Sequence, residues 1–391
     1  MNEFDYIQEA HQLDMVRTNL IEAGLAGGPD KMCVVPKPHI RLCRKRVLVM
    51  EELKGSKLIA ELERNAKYCA DQLGEVFSQI SERVFNEEKA MEIKQGPTKQ
   101  QYERMIFVLN KVRQAENASS AVFNNTLGRI PNVPYKPYTP RKFLPLNHAK
   151  LIDNIIYIHG HEVMVNGAFN GDPHPGNILL LGVDEEGEQH QPQLGLIDYG
   201  QVPILQKEVR LKFCELIIAL SENNRDEVVR LMKELGYKSR DMNGDNMYLY
   251  AKMYYDEDNE EITGGKHIQM VLEELQKNDP IEDLPRPLLM VGRVSTMIRG
   301  LAHSLKQSRS MAKAWKPIAE RVLREEKEYR ELSDMLQRER MSRSVSVPSL
   351  SVVSKSGSAQ SLERVSESDS TQSLEKVGKS VSVQSLSVVS R

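Results

Sequence analysis

Residues 169–180 read FNGDPHPGNILL, and residues 194–201 read LGLIDYGQ. In the first stretch Asp172 is followed five residues later by Asn177, and in the second an apolar run ends in Asp198 of an Asp-Tyr-Gly triplet. Phosphoryl-transfer sites use one Asp to accept or orient the acceptor proton, and an Asn and a second Asp to hold Mg²⁺ on nucleotide phosphates. The sequence therefore predicts such a site, with Asp172 as the catalytic residue and Asn177 and Asp198 as metal ligands.

The residues around these groups predict a short, stiff loop followed by a β-hairpin. Two prolines fix φ between Asp172 and Asn177, and Gly176 permits backbone angles that other residues resist. Apolar residues 178–180 and 194–197 then predict two strands joined by a polar turn. An ordinary hairpin that carries two aspartates is the alternative, because a lone Asp-x-x-x-x-Asn is common. Both motifs across one hairpin favour a kinase-like fold.

These motifs resemble those of a known family. The loop Asp172-Pro-His-Pro-Gly-Asn177, followed by Ile-Asp198-Tyr-Gly-Gln, is similar to the UbiB or ADCK family, the aarF-domain-containing atypical kinases. Aminoglycoside and choline phosphotransferases use a similar Gly-Asp-x-His-Pro-Gly-Asn loop. The N-terminal run Glu3-Phe-Asp5-Tyr-Ile-Gln-Glu9-Ala resembles the Glu-x-Asp motif of the UbiB family and favours the first assignment. The resemblance covers about residues 2–55 and 147–325.

The resemblance implies an α+β, protein-kinase-like fold with a mostly helical C-lobe, and ATP with Mg²⁺ as cofactors. By resemblance, Glu3 and Asp5 belong to the Glu-x-Asp motif, and Glu9 belongs to the helix whose Glu pairs with an ATP-binding Lys. Residues 50–55 match the family segment Met-Glu-x-x-x-Gly, so Glu51 is expected beside the adenine. The resemblance also implies support of coenzyme Q (ubiquinone) biosynthesis or related lipid metabolism, in mitochondria or plastids.

The N-terminal segment, residues 1–55, predicts an incomplete kinase-like N-lobe. Residues 2–24 have the apolar spacing of a helix, residues 33–35 and 39–42 predict one kinked strand, and residues 46–50 predict a second strand before a hinge. A complete N-lobe places further strands and the ATP-binding Lys before this helix. We therefore expect an N-terminally truncated family member, which leaves open whether the chain is an active enzyme.

Residues 56–330 predict the C-lobe, with a helical and proline-rich insertion at about 81–146. Four prolines recur at every third position between residues 131 and 140, which aligns them on one edge of a polyproline II helix. A rigid surface crossing is the simpler interpretation, and a ligand for a proline-binding module is the alternative. Residues 331–391 are rich in Ser and carry a repeat with few large apolar groups, so we expect disorder there.

The composition argues against several classes of protein. The 391 residues include 53 Lys+Arg and 55 Asp+Glu, and the resulting net charge of −2 does not favour nucleic acid as a partner. The four cysteines lack metal-type spacing. Two arginines interrupt the apolar stretch 287–302, so no membrane span is predicted, while peripheral membrane association stays open. The acidic run 256–261 lacks the spacing of a calcium loop and predicts a solvated loop.

The length of the segment after the second motif indicates which kind of molecule would accept the phosphoryl group. Only residues 202–206 separate Gln201 from the next predicted helix, whereas protein kinases place a long peptide-docking segment there. A nucleotide together with a small molecule or lipid, such as a quinone precursor, is therefore the expected set of partners. Two alternatives to a UbiB-like kinase or ATPase stay open: a small-molecule phosphotransferase of the aminoglycoside or choline-kinase type, and an inactive kinase-like scaffold, which the missing Lys favours.

Overall fold

Helices form most of the described structure, and a small sheet lies among them. The computed structural model of the chain describes residues 5–73, 96–130, 133–138, 146–183 and 189–345. The helices are α1 (Tyr6–Glu22), α2 (Leu58–Leu73), α3 (Lys99–Asn125), α4 (His148–His161), α5 (Lys207–Ser221), α6 (Arg225–Glu234), α7 (Gly244–Tyr255), α8 (Glu260–Thr263), α9 (Ile268–Asn278), α10 (Arg286–Ser304) and α11 (Met311–Val345). The strands are β1 (Cys33–Val34), β2 (Gly55–Lys57), β3 (Ile178–Val183), β4 (Gln189–Leu196), β5 (Lys238–Ser239) and β6 (Ile281–Asp283).

A four-stranded sheet brings the two sequence motifs to one end of a hairpin. Its order is β1-β4-β3-β2, in which β3 is antiparallel to β4 and β2, and β1 is parallel to β4. Ile178, at the start of β3, pairs with Leu196, at the end of β4. Asn177 directly precedes Ile178, and Asp198 lies two residues after Leu196. The strand register therefore places Asn177 and Asp198 side by side. The predicted hairpin is confirmed.

The N-terminal part of the chain contributes less sheet than predicted. The predicted strand at 39–42 is a 3₁₀ turn, and residues 46–50 form only isolated bridges to residues 38 and 44. Proline cannot donate to a strand ladder, and the basic residues of this segment favour an exposed turn. Both strand predictions are therefore wrong in extent. Gly55, expected in a hinge, is instead the first residue of β2 and pairs with β3.

Helices α4 and α11 meet in the hydrophobic core. Trp315 of α11 is fully buried and donates its indole N–H to the carbonyl oxygen of Ile156 at 2.9 Å. Gly160 permits this approach, since a Cβ at that position would lie 2.6 Å from two atoms of the indole ring. Asn147 caps α4 by accepting a hydrogen bond from the Lys150 N–H at 3.0 Å.

The acidic segment 256–261 is solvated over residues 258–261, as its composition predicts, but Asp256 is completely buried. The Asp256 carboxylate accepts hydrogen bonds from Lys252 Nζ at 2.6 Å, from the Ala312 N–H at 3.0 Å and from the Ser310 hydroxyl. A buried charge needs such partners to be tolerated. Asp256 thereby joins α7 to the first turn of α11.

A second buried carboxylate, Asp279, fixes the turn before α7. It accepts hydrogen bonds from the Ser239 hydroxyl at 2.8 Å, the Asp241 N–H at 2.7 Å and the Asn243 N–H at 3.0 Å. Burial alone would raise the pKa of Asp279, but these bonds outweigh it and lower the pKa below its ordinary value.

The described part of the predicted insertion is a helix with an extended segment along it. Thr98 and Gln101 form a reciprocal capping box at the start of α3. Asn124, near the end of α3, exchanges two hydrogen bonds of 2.8 Å with the backbone of Lys136, so residues 133–138 are fixed along the helix. This pairing favours the interpretation as a rigid crossing.

The C-terminal helix is longer than predicted. Residues up to Leu332 form one compact unit, and a second unit begins at Ser333, of which the structure describes residues 333–345. α11 continues to Val345, although the predicted C-lobe ends at residue 330 and disorder is expected from residue 331. The Ser-rich residues 346–391 lie outside the described residues. Among the described helices, none is long and apolar enough to cross a membrane.

Candidate functional site

Backbone pairing joins the two motifs independently of the hairpin. The Gly171 N–H donates to the carbonyl oxygen of Gln201 at 2.8 Å, and the Leu205 N–H donates to that of Gly167 at 2.7 Å. The segments before Asp172 and after Asp198 therefore run antiparallel to each other, and the two motifs are held together as one unit.

The loop between Asp172 and Asn177 is closed by tight local hydrogen bonds. The His174 N–H donates to the carbonyl oxygen of Asp172 at 2.7 Å, and Nδ1 of His174 accepts from the Gly176 N–H at 3.0 Å. A 3₁₀ turn, Pro175–Asn177, follows and leads directly into β3. His174, for which the sequence predicts no role, thus holds the loop in the shape that presents Asn177.

Asn177 and Asp198 are in direct contact. The Asn177 side-chain amide donates to Asp198 Oδ2 at 2.7 Å, and the Gly200 N–H donates to Oδ1 at 3.0 Å. The described residues contain no cluster of three or more His, Cys, Asp and Glu side chains suited to a metal ion. Mg²⁺ needs no such cage, since it usually binds one or two carboxylates, substrate phosphates and water. The carboxylate and amide oxygens of this pair fit that chemistry.

Glu9 of α1 is the third predicted site residue brought to this place. A Cβ added to Gly200 would lie 3.6 Å from Glu9 Oε2 and 3.5 Å from Asp198 Oδ1, so the two carboxylates face the same glycine. Burial and then the charge of Asp198 raise the pKa of Glu9. No described Lys or Arg forms an ion pair with either carboxylate. Like charges in such proximity favour a bound cation between or beside them.

The other nucleotide-site predictions are placed differently. Asp5 is the N-cap of α1, where its side chain accepts hydrogen bonds from the Ile7 and Gln8 N–H groups at 3.2 and 3.4 Å. Glu51 is exposed, and its carboxylate accepts from the Lys37 N–H at 3.3 Å. These contacts do not bring Asp5 or Glu51 to Asp198. Glu3 lies outside the described residues.

Asp172 is paired with an arginine that sequence reasoning did not assign to the site. Arg293 of α10 donates from its guanidinium to Asp172 Oδ2 at 3.0 Å, and both side chains are partly exposed. Met290, one turn earlier, packs against the same loop, because a Cβ on Gly171 would lie 2.7 Å from its Cε. The sequence feature that could have indicated this role is the charge of Arg293 itself, which interrupts the apolar stretch of α10. Helix α10 therefore forms one wall beside Asp172.

Asn170 is a second residue that sequence reasoning missed. Its side-chain amide donates to the carbonyl oxygen of Asp198 at 2.8 Å, and its side-chain oxygen accepts from the Asp172 N–H at 2.9 Å. One buried side chain therefore connects the catalytic-residue candidate to the metal-ligand candidate. An Asn two residues before an Asp is too common a pattern to have been singled out.

The geometry and a family match together define the class of protein. Residues 139–232 match the family described as the ABC1 atypical kinase-like domain, and this range contains both motifs. The mostly helical fold with a small sheet is that of an atypical kinase-like domain, as the motifs predicted. The predicted resemblance to the UbiB or ADCK family, the aarF-domain-containing atypical kinases, is confirmed by this match and by relatives named AarF domain-containing protein kinase 1.

Several named proteins are similar to the chain. "AarF domain-containing protein kinase 1" of Gallus gallus is 22% identical over 228 residues, which cover 50% of this chain and 42% of that protein. "Probable serine/threonine-protein kinase abkD" of Dictyostelium discoideum is 25% identical over 218 residues, covering 48% and 30% respectively. The chain thus spans less than half the length of these relatives. A Mycobacterium tuberculosis protein solved with erythromycin is a remote likeness, with 16% identity, a TM-score of 0.39 and coverage of 80% and 57%.

Proposed function

We propose that this chain carries the Mg²⁺-nucleotide site of an atypical kinase or ATPase. The contact of Asn177 with Asp198 at 2.7 Å, opposite the Glu9 carboxylate, is the observation that carries the proposal. A group of oxygen-bearing, negatively charged side chains at the end of a hairpin is suited to hold a magnesium-bound triphosphate.

Each residue has a distinct task in this proposal. Asp198 and the side-chain oxygen of Asn177 would hold Mg²⁺, which would neutralise the phosphate charge. Asp172 would orient the acceptor group or accept its proton, and Arg293 holds the Asp172 carboxylate in place. Glu9 would bind a cationic group that faces the phosphates. Glu3, Asp5 and Glu51 stay predictions from the family resemblance.

A small or lipid-like acceptor is favoured over a polypeptide. The short segment 202–206 is fixed by the Leu205–Gly167 hydrogen bond and by bridge pairing of Ile204 with Ala168. A segment held in this way offers little surface on which a peptide can lie. We therefore propose a small molecule or a lipid, such as a quinone precursor, as the acceptor. A role in coenzyme Q or related lipid metabolism and a mitochondrial or plastid location are proposed from the family resemblance, and peripheral membrane contact stays a prediction.

A kinase-like scaffold without catalysis is the second candidate. The pair Glu9 and Asp198 has no cationic side chain bound to it within the described residues, which supports this alternative. It predicts that the chain binds no Mg²⁺-nucleotide. A phosphotransferase of the aminoglycoside or choline-kinase type differs from the first proposal only in the acceptor.

Titration calorimetry with MgATP tests the proposal. We expect saturable binding to the unmodified chain and its loss in Asp198→Asn, because a neutral amide cannot replace the charged oxygen ligand. Asp226→Asn is the matched control, since this exposed carboxylate lies on α6 in an ion pair with Arg225. Equal MgATP affinity in Asp198→Asn and the unmodified chain would remove Asp198 from the role given to it. Absence of binding to the unmodified chain would support the scaffold.

A further inference from the structure

Glu162 is a fully buried carboxylate that touches both motif loops. It opens a π-helical turn, Glu162–Asn166, that directly follows α4. Its Oε1 accepts a hydrogen bond from the Tyr199 hydroxyl at 3.0 Å, and its Oε2 accepts from the Asn170 N–H at 3.1 Å. Both of its described hydrogen bonds therefore end on the loops that carry the site.

The two hydrogen bonds of Glu162 connect it to Asp198, the predicted metal ligand, through two different residues. Tyr199 is the residue after Asp198, so fixing its fully buried ring fixes the backbone at Asp198. Asn170, held at its backbone by Glu162, donates to the carbonyl oxygen of Asp198 and accepts from the N–H of Asp172. Glu162 is thus the point at which the two loops are connected below the site.

The surroundings of Glu162 argue for a task beyond packing. Burial raises its pKa, and nearby His159 and the two hydrogen bonds offset only part of that effect. A buried carboxylate is costly unless its partners require it, and an apolar side chain would fill the same space without that cost. π-helical turns also occur frequently at functional sites. A residue kept only to fill space would not need polar atoms that bond to both motif loops.

We propose that Glu162 is a positioning residue that sets the geometry of Asp198 and Asp172 through Tyr199 and Asn170. The predicted effect of Glu162 on nucleotide binding rests on the function proposed above. The predicted effect of Glu162 on the order of the two loops does not, so each hypothesis can be refuted without the other.

Three variants and one control separate positioning from stability. Glu162→Gln keeps an oxygen for the Asn170 N–H and gains an N–H that the Tyr199 hydroxyl accepts, so it should behave as the unmodified chain. Glu162→Leu leaves both partners without a bond, and Tyr199→Phe removes one bond while keeping the ring. Asp256→Asn is the control, because it alters a buried carboxylate whose partners are on α7 and at the start of α11.

Hydrogen exchange of backbone amides tests the inference without any ligand. We expect amides in residues 169–177 and 198–203 to exchange about tenfold faster in Glu162→Leu, with a smaller increase in Tyr199→Phe. Glu162→Gln should match the unmodified chain. The inference is overturned if the loops of Glu162→Leu exchange at the unmodified rate, or if Asp256→Asn accelerates them equally, since the effect would then be global.

The affinity for MgATP is the functional measurement, and the variants are compared under conditions in which the same fraction of each is folded. Loss of a side chain that orients a metal ligand typically weakens metal binding by about tenfold or more, so Glu162→Leu should lose that much affinity and Glu162→Gln should restore it. Faster exchange in the loops together with unchanged affinity would overturn the positioning role. If the unmodified chain binds no MgATP, the proposed function fails, and the exchange rates alone decide the inference.

Discussion

Gly160 lies where α4 meets α11, and replacing it with Ala should destabilise the protein. The added Cβ would lie 2.6 Å from two indole atoms of Trp315 and 3.0 Å from Ile318 Cδ1, so one of the helices must shift. Overpacking of this kind costs about 1–3 kcal/mol. Losing the hydrogen bond from the indole to Ile156 adds about 1 kcal/mol, and the better helix propensity of Ala returns about 1 kcal/mol. We expect a net loss of about 1–3 kcal/mol.

Urea unfolding followed by tryptophan fluorescence measures this loss directly, because Trp315 is the only Trp in the chain and is fully buried. Gly300→Ala is the matched control, since Gly300 is inside α10 and a Cβ there meets nothing within 4 Å. That variant should gain about 1 kcal/mol from helix propensity alone. If Gly160→Ala unfolds at the same urea concentration as the unmodified chain, or at a higher one, the helices do not meet as described.

Two further predictions concern charged groups. Arg293→Gln should lower turnover on the order of tenfold and leave MgATP affinity unchanged, because Arg293 contacts Asp172 and not the metal-ligand pair. The folding stability of this variant, measured by urea unfolding, should change by less than about 1 kcal/mol. Asp279 has a lowered pKa, so its stabilising contribution is complete above its ordinary value of 3.8 and is lost as the pH falls through the folded-state pKa. Asp279→Asn should therefore show a smaller loss of stability than the unmodified chain between pH 7 and pH 3.

Each of these predictions has a result that contradicts it. A change in MgATP affinity in Arg293→Gln, but not in Arg225→Gln at an exposed ion pair on α6, would mean that Arg293 belongs to the nucleotide site. Identical stability curves for Asp279→Asn and the unmodified chain across the acidic range would mean that its hydrogen bonds do not favour the ionised form.

The hairpin and its two motifs could be predicted from the sequence because their determinants are local. Prolines, a glycine and alternating apolar residues specify the loop and strands between Asp172 and Asp198, and strand register then sets Asn177 beside Asp198. The helix starts at Thr98 and Asn147 follow from capping residues in the same way. In each case the interacting groups are close in the chain.

The rest of the site depends on contacts between distant residues, which a single sequence does not reveal. Arg293 reaches Asp172 across 121 positions, and Tyr199 reaches Glu162 across 37. One nearby residue could have indicated that Asp256 is buried, because Lys252 lies four residues earlier and pairs with it. The other acidic residues of the segment instead predicted that Asp256 is exposed to solvent. Strands at 39–42 and 46–50 were overpredicted because prolines and basic residues outweigh the apolar ones.

The cap at the start of α11 has a consequence for the order of folding. Ser310 caps the helix locally, because its Oγ accepts from the Lys313 N–H at 3.1 Å, and Asp256 adds a distant part by accepting from the Ser310 hydroxyl and the Ala312 N–H across 54 and 56 positions. Closing a loop of that length costs entropy before these bonds return stability, so the Asp256 part can form only when α7 lies beside the start of α11. The cap of α3, in contrast, is made by its own neighbours, Thr98 and Gln101. The start of α11 is therefore stabilised in two parts, one local and one that depends on the packing of α7.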